Sequence, residues 1–99
     1  MAQLRWRPRA IVDIERLHVF LNKKDSTAAR QAAYAIFKAI ALLETTPRIG
    51  RPMPDDTRRR ELIVPFGTGA YVLRYVLEAD NTVVVVRVWH SKENRTATD

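Results

Sequence analysis

The stretch YVLRYVLEADNTVVVVRVWH, residues 71–90, decides how the chain folds. Two runs rich in β-branched and aromatic residues, Tyr71 to Glu78 and Thr82 to His90, flank the turn formers Asp80 and Asn81, which is the pattern of a β-hairpin. With a two- or four-residue connection centred on Asp80-Asn81, opposing residues have numbers summing to 161. One face then collects Leu73 opposite Val88, Tyr75 opposite Val86 and Leu77 opposite Val84, and this apolar face needs a covering layer. The other face sets Val72 opposite Trp89, Val76 opposite Val85 and, between them, Arg74 opposite Arg87.

Two guanidiniums directly across a ladder repel one another unless something anionic lies between them. Either Arg74 and Arg87 receive a phosphate or an acidic peptide, which paired guanidiniums match in a bidentate way, or they are paired internally, for example with Glu61 or Glu78, or diverge into water. An odd-length turn would dissolve the pair altogether. Arg58-Arg59-Arg60 is a second basic element, joined by Arg5, Arg7 and Arg9. It reads as a phosphate-steering surface that salt would abolish, or as a solvated face. Trp89 and Val72, exposed together on the open face, would form an apolar patch suited to a protein contact. His90 ends the last strand on the apolar face, where a lone histidine reads as a hydrogen-bonded cap rather than a general base.

Working outward, Leu4 to Arg7 alternates apolar and basic residues before Pro8, as a short strand does. From Arg9 the period changes. Ile11, Ile14, Leu17 and Leu21 recur at helical spacing, with Asp13, Glu15 and Arg16 on the other side. Residues 22–26 break this helix and offer Asp25 and Ser26 as caps for a second one. The second helix carries Ala29, Ala32, Ala33, Ile36, Phe37, Ile40 and Leu43 as its apolar stripe, and the two helices form an antiparallel hairpin. Residues 47–56 hold three of the five prolines and read as a loop. A strand at Arg60 to Phe66 and a Gly67-Thr68-Gly69 turn then lead into the hairpin. The order is β-α-α-β-β-β: an α+β fold with a helical hairpin on one face of an antiparallel sheet. It forms a single domain over residues 1–99, with 91–99 as a loose tail.

Composition narrows the function. Seventeen Lys and Arg against eleven Asp and Glu leave a charge of +6, which favours an anionic partner. The chain has no cysteine and two histidines, His18 and His90, so thiol chemistry is excluded and no metal or other cofactor is expected. No apolar run approaches the roughly 18 residues that cross a bilayer, and Met1 to Arg9 lacks the apolar stretch of a secretory signal. The expected location is the cytoplasm, with no membrane partner. Ser91 lies in no nucleophile elbow, no glycine-rich phosphate loop occurs, and Asp55-Asp56 stand in a loop.

The stretches Arg60-Glu61-Leu62, Tyr71 to Val76 and Val85 to His90, preceded by Thr46-Pro47-Arg48-Ile49-Gly50-Arg51-Pro52, resemble the RelE/ParE toxin superfamily over nearly the whole chain. Members share a short first strand, a helical hairpin, a link reading roughly P-x-x-G-x-P and a three-strand meander ending R-V-x-H. The resemblance implies the toxin of a type II toxin–antitoxin pair, serving plasmid stabilisation or stress and neutralised by a small, acidic, ParD-like antitoxin. ParE-like members are described as poisoning DNA gyrase, and RelE-like members cut mRNA on the ribosome. Where the ribonuclease branch carries an arginine early in the third strand this chain has Tyr71, and only Lys92 and Arg95 match the basic and aromatic residues after the last strand. The stretches Leu73 to Val76 and Arg87 to His90 are closer to ParE, so gyrase inhibition without catalysis is the first expectation. Arg58, Arg59, Arg60, Arg74, Arg87 and Trp89 would then meet the target or another anion. The alternatives are a ribosome-dependent endoribonuclease drawing on Arg74, Arg87, His90 and Lys92, or a non-toxic, antitoxin-binding relative. Antitoxin contacts are expected on the helical hairpin and the open sheet face.

Overall fold

A computed structural model describes residues 2–93. Strand β1 (Leu4–Trp6) runs directly into α1 (Pro8–Lys24). Pro8, expected to close the strand, also opens the helix, because at the first turn its missing N–H has no helical partner to lose. Asp25 joins α1 to α2 (Ser26–Thr45): its backbone N–H donates to the Leu21 carbonyl, and its Oδ1 accepts from the N–H groups of Thr27 and Ala28 at 2.9 and 3.2 Å. One residue ends the first helix and caps the second. Beyond a link come β2 (Arg51–Pro52), β3 (Arg59–Phe66), β4 (Gly69–Leu77) and β5 (Val83–His90). Within the stretch expected to be loop, β2 is a two-residue edge strand, a place where proline is tolerated.

The sheet order is β1-β5-β4-β3-β2. All neighbours are antiparallel except β1 and β5, which run parallel, so the sheet is mixed. A parallel pair needs a long crossover, and here the rest of the domain supplies it. The helical hairpin covers one face. Ala10 and Leu17 from α1 and Ala32, Ile36, Ala39, Ile40 and Leu43 from α2 pack on Tyr71, Leu73, Tyr75, Val83, Val85 and Val88. Leu73 and Val88 thus lie beneath the helices as the hairpin face requires. Phe37 does not: it is 69% exposed, one helical step round from buried Ile36. Ile11, on the same reasoning, is half exposed.

The hairpin register departs from the expected one near its turn. Residues 78–82 make an odd-length connection, with Asn81 in the left-handed region at φ 70°, so Leu77 faces Val83, Val76 faces Val84 and Tyr75 faces Val85. Taken alone, that register would set Arg74 against Val86. A bulge between Arg74 and Tyr75 absorbs one residue of β5 and restores the expected pairs Arg74–Arg87, Leu73–Val88 and Val72–Trp89. The same bulge puts Val83 and Val85, rather than Val84 and Val86, into the helix-covered core.

Burial holds the Tyr71 phenol above its ordinary pKa, with Glu93 acting in the same direction; burial does the same to Tyr75 against the opposing Gly50 N–H and Arg60. Both phenols stay neutral in the folded state at a pH where the unfolded chain ionises them. Their contribution is complete below about pH 10 and is lost as pH rises through the folded-state values. Stability followed by circular dichroism should therefore decline from about pH 10 upward, and Tyr71→Phe should flatten that decline. An unchanged alkaline limb in the variant would remove Tyr71 as its cause.

Candidate functional site

Arg74 and Arg87 face each other across the ladder, yet each is buried with a carboxylate of its own. Glu61, the β3 residue in register with Arg74, accepts from its Nε at 3.0 Å and its Nη2 at 2.7 Å through one oxygen. The Arg74 guanidinium also lies 4.8 Å from the centre of the Trp89 ring. Glu61 was one of the acids the sequence suggested. The acid on Arg87 is one it did not suggest, Asp13 of α1, 3% exposed. Its Oδ2 accepts from Arg87 Nε at 2.8 Å and from the Val88 N–H at 2.9 Å, and its Oδ1 accepts from Arg87 Nη2 at 3.2 Å.

The position of Asp13 follows from the sheet. After the Arg7 N–H donates to the Val85 carbonyl at 3.0 Å, the chain leaves the edge of β5 to begin α1. The next outward N–H of β5, at Val88, has no strand to pair with, and the Asp13 carboxylate takes it. Asp13 had been placed on the polar side of α1. It sits three residues from Ala10 and four from Leu17, on their own stripe, and that spacing is the signal that would have found it. Arg16 extends the network to the end of the sheet, bonding Asp13 at 3.3 Å and also Glu93, whose other oxygen accepts from the His90 N–H at 2.9 Å. His90 Nδ1 accepts from the Lys92 N–H at 3.2 Å, which leaves its proton on Nε2, 3.3 Å from the Phe66 carbonyl. Ser91 and Lys92 belong to a turn; Arg95 and the rest of the expected tail from residue 94 lie outside the described residues.

Val72 and Trp89 do not form an exposed patch, since Val72 is buried and Trp89 half-buried against Arg74. The large exposed apolar side chains lie mainly on the helices: Ile11, Val12, Val19, Phe20, Tyr34 and Phe37. One groove of about 330 Å³ opens between Trp6, Ile11, Ile14, Ala33, Ile36 and Phe37. A larger one, about 720 Å³, lies between the second half of α1 and the sheet end at Phe66, Tyr71 and His90, with Arg16, Lys24 and Lys92 on its lining.

Arg58, Arg59 and Arg60 meet elsewhere, at the corner formed by the link before β2 and the β4–β5 turn. With Arg48, which sequence reasoning did not single out, they line a cleft of about 350 Å³ that also includes Asp55 and Glu78. Tyr75 fixes the wall carrying Arg48. Its hydroxyl donates to the Pro47 carbonyl and accepts from the Gly50 N–H, both at 2.8 Å, while Arg60 Nη1 donates to the carbonyls of Arg48 at 3.0 Å and Gly50 at 2.8 Å. Among the described residues no three His, Cys, Asp or Glu side chains could hold a metal ion, and no helix is long and apolar enough to cross a membrane.

Comparison with known proteins gives a consistent result. The family model for the ParE toxin of the type II toxin–antitoxin system, parDE, matches residues 4–95. Toxin RelE1 of Caulobacter vibrioides is 39% identical over 87 residues, 88% of this chain and 90% of that one. Toxin RelE3 of the same organism is 35% identical over 88 residues, 89% and 92% of the two chains. In a solved structure titled as the chromosomal ParDE system from P. aeruginosa, one chain shares the fold with a TM-score of 0.69, covering 91% of this chain and 96% of that chain at 14% identity.

Proposed function

Since this chain belongs to the ParE toxin family of type II toxin–antitoxin systems, we propose that it acts by binding rather than by catalysis: it inhibits DNA gyrase and is neutralised by a small acidic antitoxin. The observation that carries this reading is the state of the groups a metal-independent ribonuclease would use. Arg74 is bound to Glu61, Arg87 to Asp13, and both ring nitrogens of His90 face backbone groups. Phosphoryl transfer needs cations aimed at the developing charge and an acid or base within reach of the reacting oxygen. Here those three side chains serve the fold, and Lys92, the fourth candidate, stands on the lining of the groove at the sheet end.

The antitoxin anchors its apolar side chains in the helix groove at Trp6, Ile11 and Phe37, where protein interfaces find their buried centres. The second reading, mRNA cleavage on the ribosome, is favoured by the RelE names of the Caulobacter relatives.

One pair of assays decides between them. Purified protein should block supercoiling by gyrase at concentrations that leave ribosome-bound mRNA whole, and added antitoxin should restore supercoiling. Cleaved mRNA with unimpaired supercoiling would reverse the assignment.

A further inference from the structure

We propose that the cleft bordered by Arg48, Arg58, Arg59 and Arg60 binds the sugar–phosphate backbone of a nucleic acid without reading its sequence. The first ground is which guanidiniums are already matched. Arg16, Arg74 and Arg87 all bind carboxylates. Among the described residues Arg48, Arg58, Arg59 and Arg60 form no ion pair, although Asp55 and Glu78 share their cleft. Asp55 is turned to its own loop, where it accepts from the Thr57 N–H at 3.1 Å and from the Thr57 hydroxyl. Those bonds hold its pKa below the ordinary carboxylate value, with Arg59 adding to the effect. Four arginines outnumber two carboxylates, and the cleft keeps a positive field.

The second ground is backbone geometry. Arg59 and Arg60, the first two residues of β3, both border the cleft at the end of the strand, although strand residues alternate between the faces of the sheet. Arg58 lies at φ 61°, in the left-handed region, and Arg59 begins β3 immediately after it. A residue with a β-carbon takes up this conformation only against steric resistance. The outcome is that Arg58, Arg59 and Arg60 border the same space.

The third ground is rigidity. The carbonyls of Arg48 and Gly50 engage only Nη1 of Arg60, so its Nε and Nη2 remain for a ligand, and the Arg48 wall is clamped by the buried Tyr75 hydroxyl. Donors held in place before the ligand arrives bind it with less loss of freedom.

Chemistry separates a polynucleotide from an acidic protein segment. Six of the ten residues lining the cleft are charged, and its aromatic content is nil. Protein interfaces are organised around apolar and aromatic anchors, which this chain displays on its helices. Nucleic-acid interfaces are polar and dominated by arginine and lysine contacts to phosphate.

The test is fluorescence anisotropy on the full chain, titrating labelled duplex DNA and labelled single-stranded RNA across a salt series. Log affinity should fall linearly with log salt. The double variant Arg48→Gln/Arg58→Gln, both exposed positions, should reduce the duplex slope by about two and weaken binding roughly tenfold or more at 0.1 M salt. Lys23→Gln/Arg30→Gln removes the same charge from the helices and should leave the slope as it was. Preference for duplex or for RNA names the source of the phosphates. The inference is overturned if the cleft variant keeps the parent slope, or if a polyglutamate peptide binds while neither nucleic acid does. Binding is read without gyrase, so this outcome is separate from that of the supercoiling assay.

Discussion

Replacing Asp13 with alanine will destabilise the domain by about 3–5 kcal/mol, the size expected when a buried guanidinium loses its carboxylate. A domain of this kind is stable by only about 5–15 kcal/mol, so the loss moves it toward unfolding at physiological temperature. Two separate penalties combine. Arg87, 6% exposed, loses an ion held through two of its nitrogens, and the Val88 N–H loses its acceptor beside a core valine that is fully buried. Asp13→Asn retains an oxygen for one of these donors but no charge, and should fall between the parent and the alanine variant. The double replacement Asp13→Leu/Arg87→Met removes both charges and should recover much of the loss, because a buried ion pair exchanged for apolar groups of similar size is often neutral. Urea unfolding midpoints measure all three. An alanine variant within about 1 kcal/mol of the parent would show that α1 is held to β5 by packing alone.

Gly50→Ala is expected to cost about 2–4 kcal/mol, and Tyr75→Phe about 1–3 kcal/mol, through one shared contact. A β-carbon at position 50 would stand 2.5 Å from the Tyr75 hydroxyl oxygen and 2.6 Å from the ring carbon Cε1. Tyr75 is fully buried and cannot retreat, so the loop must lift. Tyr75→Phe acts from the other side, leaving the Gly50 N–H and the Pro47 carbonyl without the hydroxyl that joins them. The ring carbons Cε1 and Cζ, 2.6 and 2.9 Å from the new β-carbon, remain in the way without the oxygen, but a loop lifted by alanine has already given up the bonds that Tyr75→Phe removes. The double variant should therefore be less destabilised than the two single losses added together, and a thermodynamic cycle over the four proteins measures the difference. A strictly additive result would mean that the loop accommodates alanine without giving up its bonds to the Tyr75 hydroxyl. Lifting this loop also displaces the Arg48 and Gly50 carbonyls that hold Arg60.

The helices, the three-strand meander and the order of elements were legible because each rests on local periodicity, and the 3.6-residue stripes of α1 and α2 contrast clearly with the runs at 71–78 and 82–90. Register was only half legible. The run Val83–Val86 carries no alternation, so nothing in it marks which valine faces the core, and an odd turn followed by a bulge left the far end of the hairpin in register while shifting the near end. The carboxylate on Arg74 could be named because Glu61 lies on the neighbouring strand. The one on Arg87 could not, because Asp13 reaches it from another layer, and such pairing depends on how the helix is docked. Arg48 escaped notice for a related reason: it joins Arg58, Arg59 and Arg60 only when the proline-bearing link folds back on the β4–β5 turn.

The parallel pairing of β1 with β5 has a consequence for synthesis. Leu4 leaves the ribosome before both helices and three further strands, and its ladder partner Val83 only after them. Helices and hairpins made of near neighbours can form as they emerge, but this edge of the sheet must wait until β5 has been made. A nascent toxin thus passes through an interval in which β5 is missing and Tyr71, Leu73 and Tyr75, which are enclosed together with it, are bare.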